Sequence, residues 1–189
     1  MHFGIDYGSK LAGTTVICFD EGKKLRLVQS EKNKDADAFL KKWILEKKPN
    51  QIFIDAPLSL PNAYFGKGED FFYRHCDKEV KGMSPLFLGG LTARAMKLKS
   101  QLELPERPFF EIYPAQLLRI LFPDMKFKKD AQGLSDLLAI FSKILPIPLE
   151  QLPQNRHQAD AVLAWLSGWR FQKNEAILFG EKEEGLIWV

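Results

Sequence analysis

The pattern of apolar and polar positions at the start of the chain predicts a buried strand. Phe3 and Ile5 alternate with Gly4 and Asp6, and this period of two is typical of a β-strand. A short run of small and polar residues then predicts a turn, and the apolar run 14–19 predicts a second strand, so the two form a hairpin with a long loop. Asp6 is therefore expected at the end of the first strand.

The next part of the chain predicts a crossover to a parallel strand. A third strand is expected over 25–29 and an amphipathic helix over 33–48, in which acidic residues precede basic ones as the helix dipole favours. The almost wholly apolar run 51–55 is typical of a central strand covered on both faces. A meander, a helix and an apolar strand imply that this strand lies parallel to the first. Asp55 would then end its strand as Asp6 ends the first.

The remainder of the chain predicts an inserted helical cap and then more α/β structure. The cap spans about 62–105, is rich in aromatic and basic residues, and has predicted helices over 69–81 and 91–102 with a loop between them. The elements expected after it are a strand, three helices and a closing pair of strands, over 108–113, 114–122, 132–145, 156–171, 176–179 and 186–189. The predicted fold is one α/β domain over 1–189, in which helices flank a mixed sheet made of an antiparallel three-strand meander plus parallel strands.

Composition narrows this picture only slightly. The chain has 189 residues, of which 46% are hydrophobic, and this is enough for one substantial core. The net charge of +3 permits contact with nucleic acid without requiring it. The sequence has neither an apolar run of membrane-spanning length nor a signal-peptide pattern, and Cys18 and Cys76 have no disulfide or metal spacing. We therefore expect free thiols in a cytoplasmic protein that does not enter a membrane.

Acidic residues occupy positions where polar side chains are unexpected, at two strand ends, inside an aromatic strand and in an apolar helix: Asp6, Asp55, Glu111 and Asp160. Each has a structural explanation as well. Asp6 alone is equally well explained as a turn residue, and Glu111 alone is better explained as a solvent-facing residue of an edge strand. His157 and Asp160 share a narrow helix face of small residues, which lets that helix approach another element closely. A buried Asp160 needs a partner, and either an arginine or a metal ion would serve.

Taken together, the acids predict a cation site. Neighbouring strands lie about 4.8 Å apart, so Asp6 and Asp55 would lie side by side if their strands are adjacent. Two carboxylates that close repel each other unless a cation keeps both ionised. Ligand sets made of oxygen alone favour Mg²⁺ or Mn²⁺, and Asp6, Asp55 and Asp160 are the predicted ligands. Ions held in this way activate water for phosphodiester cleavage, which predicts a metal-dependent nuclease.

Sequence segments spread over nearly the whole chain also resemble one family: FGIDYGSKLAGT, IDAPLSLP, RHCDKEV, EIYP and HQADAVLA. That family is catalogued as domain of unknown function 429 and is described as predicted nucleases with a ribonuclease-H-like fold. The resemblance implies this fold and a nucleic-acid substrate. His157 and Asp160 are also similar to the His-x-x-Asp helix end of Holliday-junction resolvases of the same fold. That likeness implies that His157 is a ligand or proton shuttle, and it implies a homodimer.

One departure from the resolvases affects the predicted catalytic set. Those enzymes place a glutamate on the fourth strand, whereas this chain has Asp55 there, so Glu111 from the next strand is a candidate to take its place. His157 is equally well explained as a helix-cap or core histidine. With these alternatives open, the predicted catalytic residues are Asp6, Asp55, Asp160, His157 and Glu111.

Basic residues interleaved with aromatic ones on the cap predict a phosphate-binding cleft beside the acids. The residues expected to line it are Arg74, Lys78, Arg94 and Lys97. For Arg74 the alternative is an ion pair with Asp77, three residues later, on a helix surface.

Two other functions compete with the nuclease hypothesis. A non-catalytic domain of the same fold could bind nucleic acid, a small molecule or a protein partner, because acids in suitable places do not establish turnover. The segment GIDYGSKLAGT also resembles the phosphate loop of actin-like ATPases. Those enzymes close two such domains over a nucleotide, and this chain has room for only one, so an ATPase is the less favoured alternative.

Overall fold

The computed structural model describes residues 1–128 and 130–189, and these form an α/β protein built on one mixed sheet. The sheet has seven strands in the order β3-β2-β1-β4-β5-β7-β6. The strands are β1 (His2–Asp6), β2 (Val16–Glu21), β3 (Lys24–Gln29), β4 (Gln51–Asp55), β5 (Phe109–Ile112), β6 (Leu178–Glu181) and β7 (Gly185–Trp188). β1, β2 and β3 form an antiparallel meander, and β1, β4, β5 and β7 run parallel to one another, with β6 antiparallel at the far edge.

Helices cover both faces of the sheet and divide the core into two main clusters. The helices are α1 (Ala36–Lys47), α2 (His75–Glu79), α3 (Pro85–Leu88), α4 (Gly90–Leu102), α5 (Pro114–Leu121), α6 (Ala131–Ile144) and α7 (Arg156–Gln172), together with a short 3₁₀ helix at Asn62–Phe65. Apolar residues of α1 and α4 pack on one face of the sheet, and those of α5, α6 and α7 pack on the other. None of the described helices is both long and apolar enough to cross a membrane.

The closest helix-to-sheet packing is between α7 and β1. A Cβ atom at Gly4 would overlap the backbone of Trp165, and a Cβ atom at Gly168 would overlap the side chains of His2 and Phe53. Glycine at these two positions therefore lets the helix lie directly on the strand. The prediction that the small-residue face of this helix makes a close approach is confirmed.

The start of the cap differs from its sequence-based prediction. A helix was expected over 69–81, but α2 covers only His75–Glu79. The Asp70 carboxylate accepts hydrogen bonds from the backbone N–H groups of Phe72 and Tyr73, so this stretch forms a turn instead of the first turns of a helix. The expected loop over 83–90 contains the short helix α3, where the Ser84 hydroxyl accepts from the backbone N–H of Leu86 as an N-cap.

The position of Glu111 is a second correction. β5 lies between β4 and β7, so it is an interior strand of the sheet and not an edge strand. The Glu111 residue is only 6% exposed, and the interpretation of this side chain as solvent-facing is wrong. Residues 178–189 cause the difference, because the closing hairpin adds β7 to the side of β5 that was expected to be open.

Both cysteines are buried free thiols, as their spacing predicted. Burial raises the pKa of Cys18 well above its usual value and raises that of Cys76 to about 12. Their packing role is therefore that of small hydrophobic side chains.

Candidate functional site

The two strand-end aspartates are paired in register. β1 and β4 are parallel neighbours, and Asp6 lies opposite Asp55 in their ladder. Register partners on adjacent strands are about 4.8 Å apart, so the prediction that these acids lie side by side is confirmed. Both residues line one cavity of about 260 Å³ at the carboxyl end of the parallel strands.

The N-terminus of α7 is fixed next to Asp6. The Asn155 side chain caps the helix by accepting from the backbone N–H of Gln158. The side chains of Asn155 and Gln158 also donate to the side-chain amide oxygen Oε1 of Gln29, the last residue of β3, at 3.1 and 2.8 Å. These contacts position the next turn of the helix, which carries the predicted histidine and aspartate.

His157 contacts Asp6 directly. Nδ1 of the imidazole lies 2.9 Å from Oδ2 of the carboxylate. The Asp6 side chain is 13% exposed and that of His157 is 44% exposed, so the pair joins a buried acid to a base that reaches solvent. Burial raises the pKa of Asp6, and His157 opposes that rise. The hydrogen bond from the imidazole to the Asp6 carboxylate raises the pKa of His157. The sequence predicted His157 beside Asp160, whereas its hydrogen-bond partner is Asp6.

Asp160 is held by an arginine one turn earlier on the same helix. Nε of Arg156 donates to both carboxylate oxygens, at 2.8 and 3.0 Å. Of the two partners considered for this acid, the described structure supplies the arginine. Burial raises the pKa of Asp160 to about 6, with Arg156 opposing the rise and the negative charge of Asp6 adding to it. Asp160 and Asp6 are therefore close enough to interact electrostatically.

Glu111 belongs to a buried ion network that ties the cap to the sheet. Two guanidinium nitrogens of Arg74 donate to its two carboxylate oxygens, at 2.7 and 2.6 Å, and the Leu58 backbone N–H donates to the same group at 2.8 Å. Arg74 also donates to both oxygens of Asp77, at 3.0 and 2.6 Å. Burial raises the pKa of Glu111 and Arg74 opposes that rise. Glu111 and Asp77 line the same cavity as Asp6 and Asp55.

This network changes the interpretation of Arg74. The pair with Asp77 exists at the expected spacing, but it is buried and not on a helix surface. Arg74 has no exposed surface and donates in addition to the Ser59 hydroxyl. Its guanidinium is saturated by protein acceptors, so the prediction that it lines an open phosphate-binding cleft is not supported by its surroundings.

Arg94 belongs to a second internal network of hydrogen bonds and an ion pair, which the sequence analysis did not predict. Its guanidinium donates to both oxygens of Asp37, at 3.0 and 2.7 Å, and to the Gly8 carbonyl at 3.1 Å. The Tyr7 hydroxyl donates to the same aspartate at 2.6 Å, and Arg94 lies over the Tyr7 ring. These contacts join the loop after β1 to α1 and α4. The acidic first turn of α1 was visible in the sequence, but its partners lie far away along the chain.

The basic residues predicted on the cap do not form one cleft. Lys78 makes an exposed ion pair with Asp70 at 2.6 Å. Lys97 and Arg94 lie on α4 and line a separate depression with Lys10 and Asp35. Neither lysine lines the cavity that contains Asp6 and Asp55.

The donor chemistry of the site suits a hard cation, although no complete ligand set is assembled. Among residues 1–128 and 130–189, no group of three or more His, Cys, Asp or Glu side chains is arranged to hold a metal ion. Mg²⁺, however, is commonly bound through only one or two carboxylates, with waters and substrate oxygens completing its shell. Asp6 and Asp55 fit that smaller requirement. Asp160, the third predicted ligand, is bound to Arg156.

Comparison with known proteins identifies no relative. No family model, no curated protein and no solved structure matches this chain. Functional inference therefore depends on the site itself. An acidic cavity can attract a cation, and a solvent-reaching imidazole oriented by a buried carboxylate can accept or release a proton.

Proposed function

We propose that the protein is a metal-dependent nuclease of ribonuclease-H-like fold that cleaves phosphodiester bonds in nucleic acid. The observation that carries the proposal is the in-register pairing of Asp6 and Asp55 at the carboxyl ends of two parallel strands. In open sheets of this kind, ligands bind beyond the carboxyl ends of the strands. The helix α7 brings His157 and Asp160 to the same edge, and these residues lie in the segments that resemble the predicted nuclease family.

The proposed cofactor is Mg²⁺ or Mn²⁺. Asp6 and Asp55 are the side chains that would hold it, because their oxygens lie at the ends of adjacent strands and line one cavity. When bound, such an ion supplies Lewis acidity to a phosphodiester and lowers the pKa of a coordinated water. A cation also relieves the repulsion between the neighbouring carboxylates. Without a cation, that repulsion and burial would favour protonation of one of the two.

His157 is the proposed proton-handling residue. Its Nδ1 is fixed by Asp6, so the ring orientation is set, and the side chain remains 44% exposed. The hydrogen bond from the imidazole to Asp6 favours the protonated ring, which suits a group that delivers a proton to a leaving alkoxide. Apolar side chains of the cap, Met83, Leu88 and Leu91, line the cavity together with the two acids.

The proposal is tested by cleavage assays on single-stranded, hybrid and branched substrates with Mg²⁺ or Mn²⁺. We expect cleavage by the unmodified protein and its loss in Asp6→Asn and Asp160→Asn. Asp124→Asn is the matched control, since Asp124 is an exposed residue of the segment between α5 and α6. Cleavage that survives Asp6→Asn would show that a contaminating enzyme is responsible and would refute the assignment of this site.

The second candidate is a non-catalytic domain that binds nucleic acid, a small molecule or a protein. The observation in its favour is that two of the predicted catalytic acids carry internal arginine partners, Asp160 with Arg156 and Glu111 with Arg74. Oligonucleotide binding that is unaffected by a chelator, together with no cleavage of any substrate in the panel, would favour this candidate over the nuclease.

A further inference from the structure

Arg156 holds Asp160 in a geometry that occupies both carboxylate oxygens. The two residues are four positions apart on α7, so the helix itself sets their spacing. Nε lies 2.8 Å from one oxygen and 3.0 Å from the other, and the two side chains are 22% and 19% exposed. A second guanidinium nitrogen donates to the Lys128 carbonyl at 3.3 Å. Arg156 is thus anchored at two points.

The same guanidinium also influences the neighbouring acid. Burial and hydrogen bonding set most of the pKa of Asp6, and the positive charge of Arg156 contributes a further lowering. The negative charge of Asp6 in turn raises the pKa of Asp160. Arg156 therefore lies within electrostatic range of two of the three predicted metal ligands.

We propose that Arg156 is a resident counterion that competes with a divalent cation for Asp160, and so sets the metal affinity of the site. The inference rests on the proposed function only for the location of the metal, beside Asp6 and Asp55. A divalent ion that recruits Asp160 competes with the guanidinium for the carboxylate oxygens that Nε contacts. While the guanidinium stays there, like-charge repulsion from Arg156 weakens binding of the ion to the remaining carboxylates. Arg156 is therefore a positioning residue that holds Asp160 in place.

The test is a Mn²⁺ titration followed by electron paramagnetic resonance at fixed neutral pH. In Arg156→Gln the competing charge is gone, and we expect Mn²⁺ to bind about tenfold more tightly than to the unmodified protein. Arg156→Lys keeps the charge and should stay close to the unmodified affinity. Arg26→Gln is the matched control, because Arg26 makes an exposed ion pair with Glu21 on the meander; its affinity for Mn²⁺ should not change.

A double variant and a measurement on the unmodified protein complete the test. The gain in Arg156→Gln should become smaller when Asp160→Asn is added, because the released carboxylate is then missing and only the relief of charge repulsion remains. In the unmodified protein, the Nε–H resonance of Arg156, assigned by its absence in Arg156→Lys, should shift when Mg²⁺ saturates the site. This measurement decides the question even if Arg156→Gln does not fold. An unmoved resonance at saturation, or an unchanged or weaker Mn²⁺ affinity in folded Arg156→Gln, would overturn the proposal.

The outcomes separate this inference from the proposed function. Tighter Mn²⁺ binding by Arg156→Gln without cleavage of any substrate would support the counterion role and refute the nuclease. Unchanged Mn²⁺ affinity in Arg156→Gln, together with cleavage that depends on Asp6, would support the nuclease and refute the counterion role. Absence of Mn²⁺ binding in every variant would refute both.

Discussion

Replacement of Arg74 by methionine should cause a large loss of stability. The side chain has no exposed surface, and its nitrogens donate five hydrogen bonds, to Asp77, Glu111 and Ser59. Arg74→Met would leave two buried carboxylates, 3% and 6% exposed, without their cation. Removal of one member of a buried ion network costs about 3–5 kcal/mol, so we expect a loss of this size in the free energy of unfolding.

The dependence of this loss on pH identifies its cause. Burial already raises the pKa of Glu111 in the presence of Arg74, and it should rise further once the arginine is removed. A folded-state pKa above the unfolded value means that the folded protein binds the proton more readily, so the defect should be greatest at neutral pH and shrink as the pH falls. Urea denaturation at about pH 7.5 and about pH 5 measures both quantities.

The matched control for Arg74→Met is Arg26→Met, which removes an exposed ion pair with Glu21. Its effect should be much smaller and nearly independent of pH, because exposed ion pairs contribute little to stability. If Arg74→Met lost no more stability than Arg26→Met, or if its defect were the same at both pH values, the buried network would not be the reason for the effect.

Three further predictions follow from particular contacts. The pKa of Asp160 is raised from 3.8 to about 6, so its contribution to stability should fall as the pH rises through that interval, and Asp160→Asn should flatten melting temperature against pH there; an unchanged slope would contradict the assignment. Asp6→Asn should lower the pKa of His157 in an NMR titration, because the hydrogen bond from the imidazole to Asp6 raises it. Gly4→Ala should lower the free energy of unfolding, measured by urea denaturation, by about 3 kcal/mol, because the new Cβ overlaps the Trp165 backbone. The control Gly90→Ala should be nearly neutral, because its Cβ would contact nothing. Equal effects of the two substitutions would refute the close packing of α7 on β1.

The sheet edge that carries the site could be predicted from the sequence because it follows from short-range rules. Alternation placed Asp6 at the end of a strand, and the crossover rule made the strand of Asp55 parallel to it. Small residues on one face of α7 indicated its close approach to the sheet, which Gly4 and Gly168 permit.

The partners of the charged residues could not be predicted in the same way. Arg74 and Glu111 are 37 positions apart, and Arg94 and Asp37 are 57 positions apart, so no local pattern joins them. The sequence therefore predicted a phosphate-binding role for both arginines, with an ion pair to Asp77 as the alternative for Arg74, and did not predict Glu111 or Asp37 as their partners. The bond between Arg156 and Asp160 has helical spacing and was visible in principle, but spacing alone did not distinguish an arginine partner from a metal ion.

The Arg74 network also restricts how the cap can move. An opening motion hinged near α2 would have to pull the guanidinium out of Glu111 on β5, and would also break the bonds from the backbone N–H groups of Asn62 and His75 to Glu184. Breaking these contacts would leave buried charges without partners, so the network opposes such a motion. We therefore expect the entrance to the cavity lined by Asp6 and Asp55 to keep its dimensions.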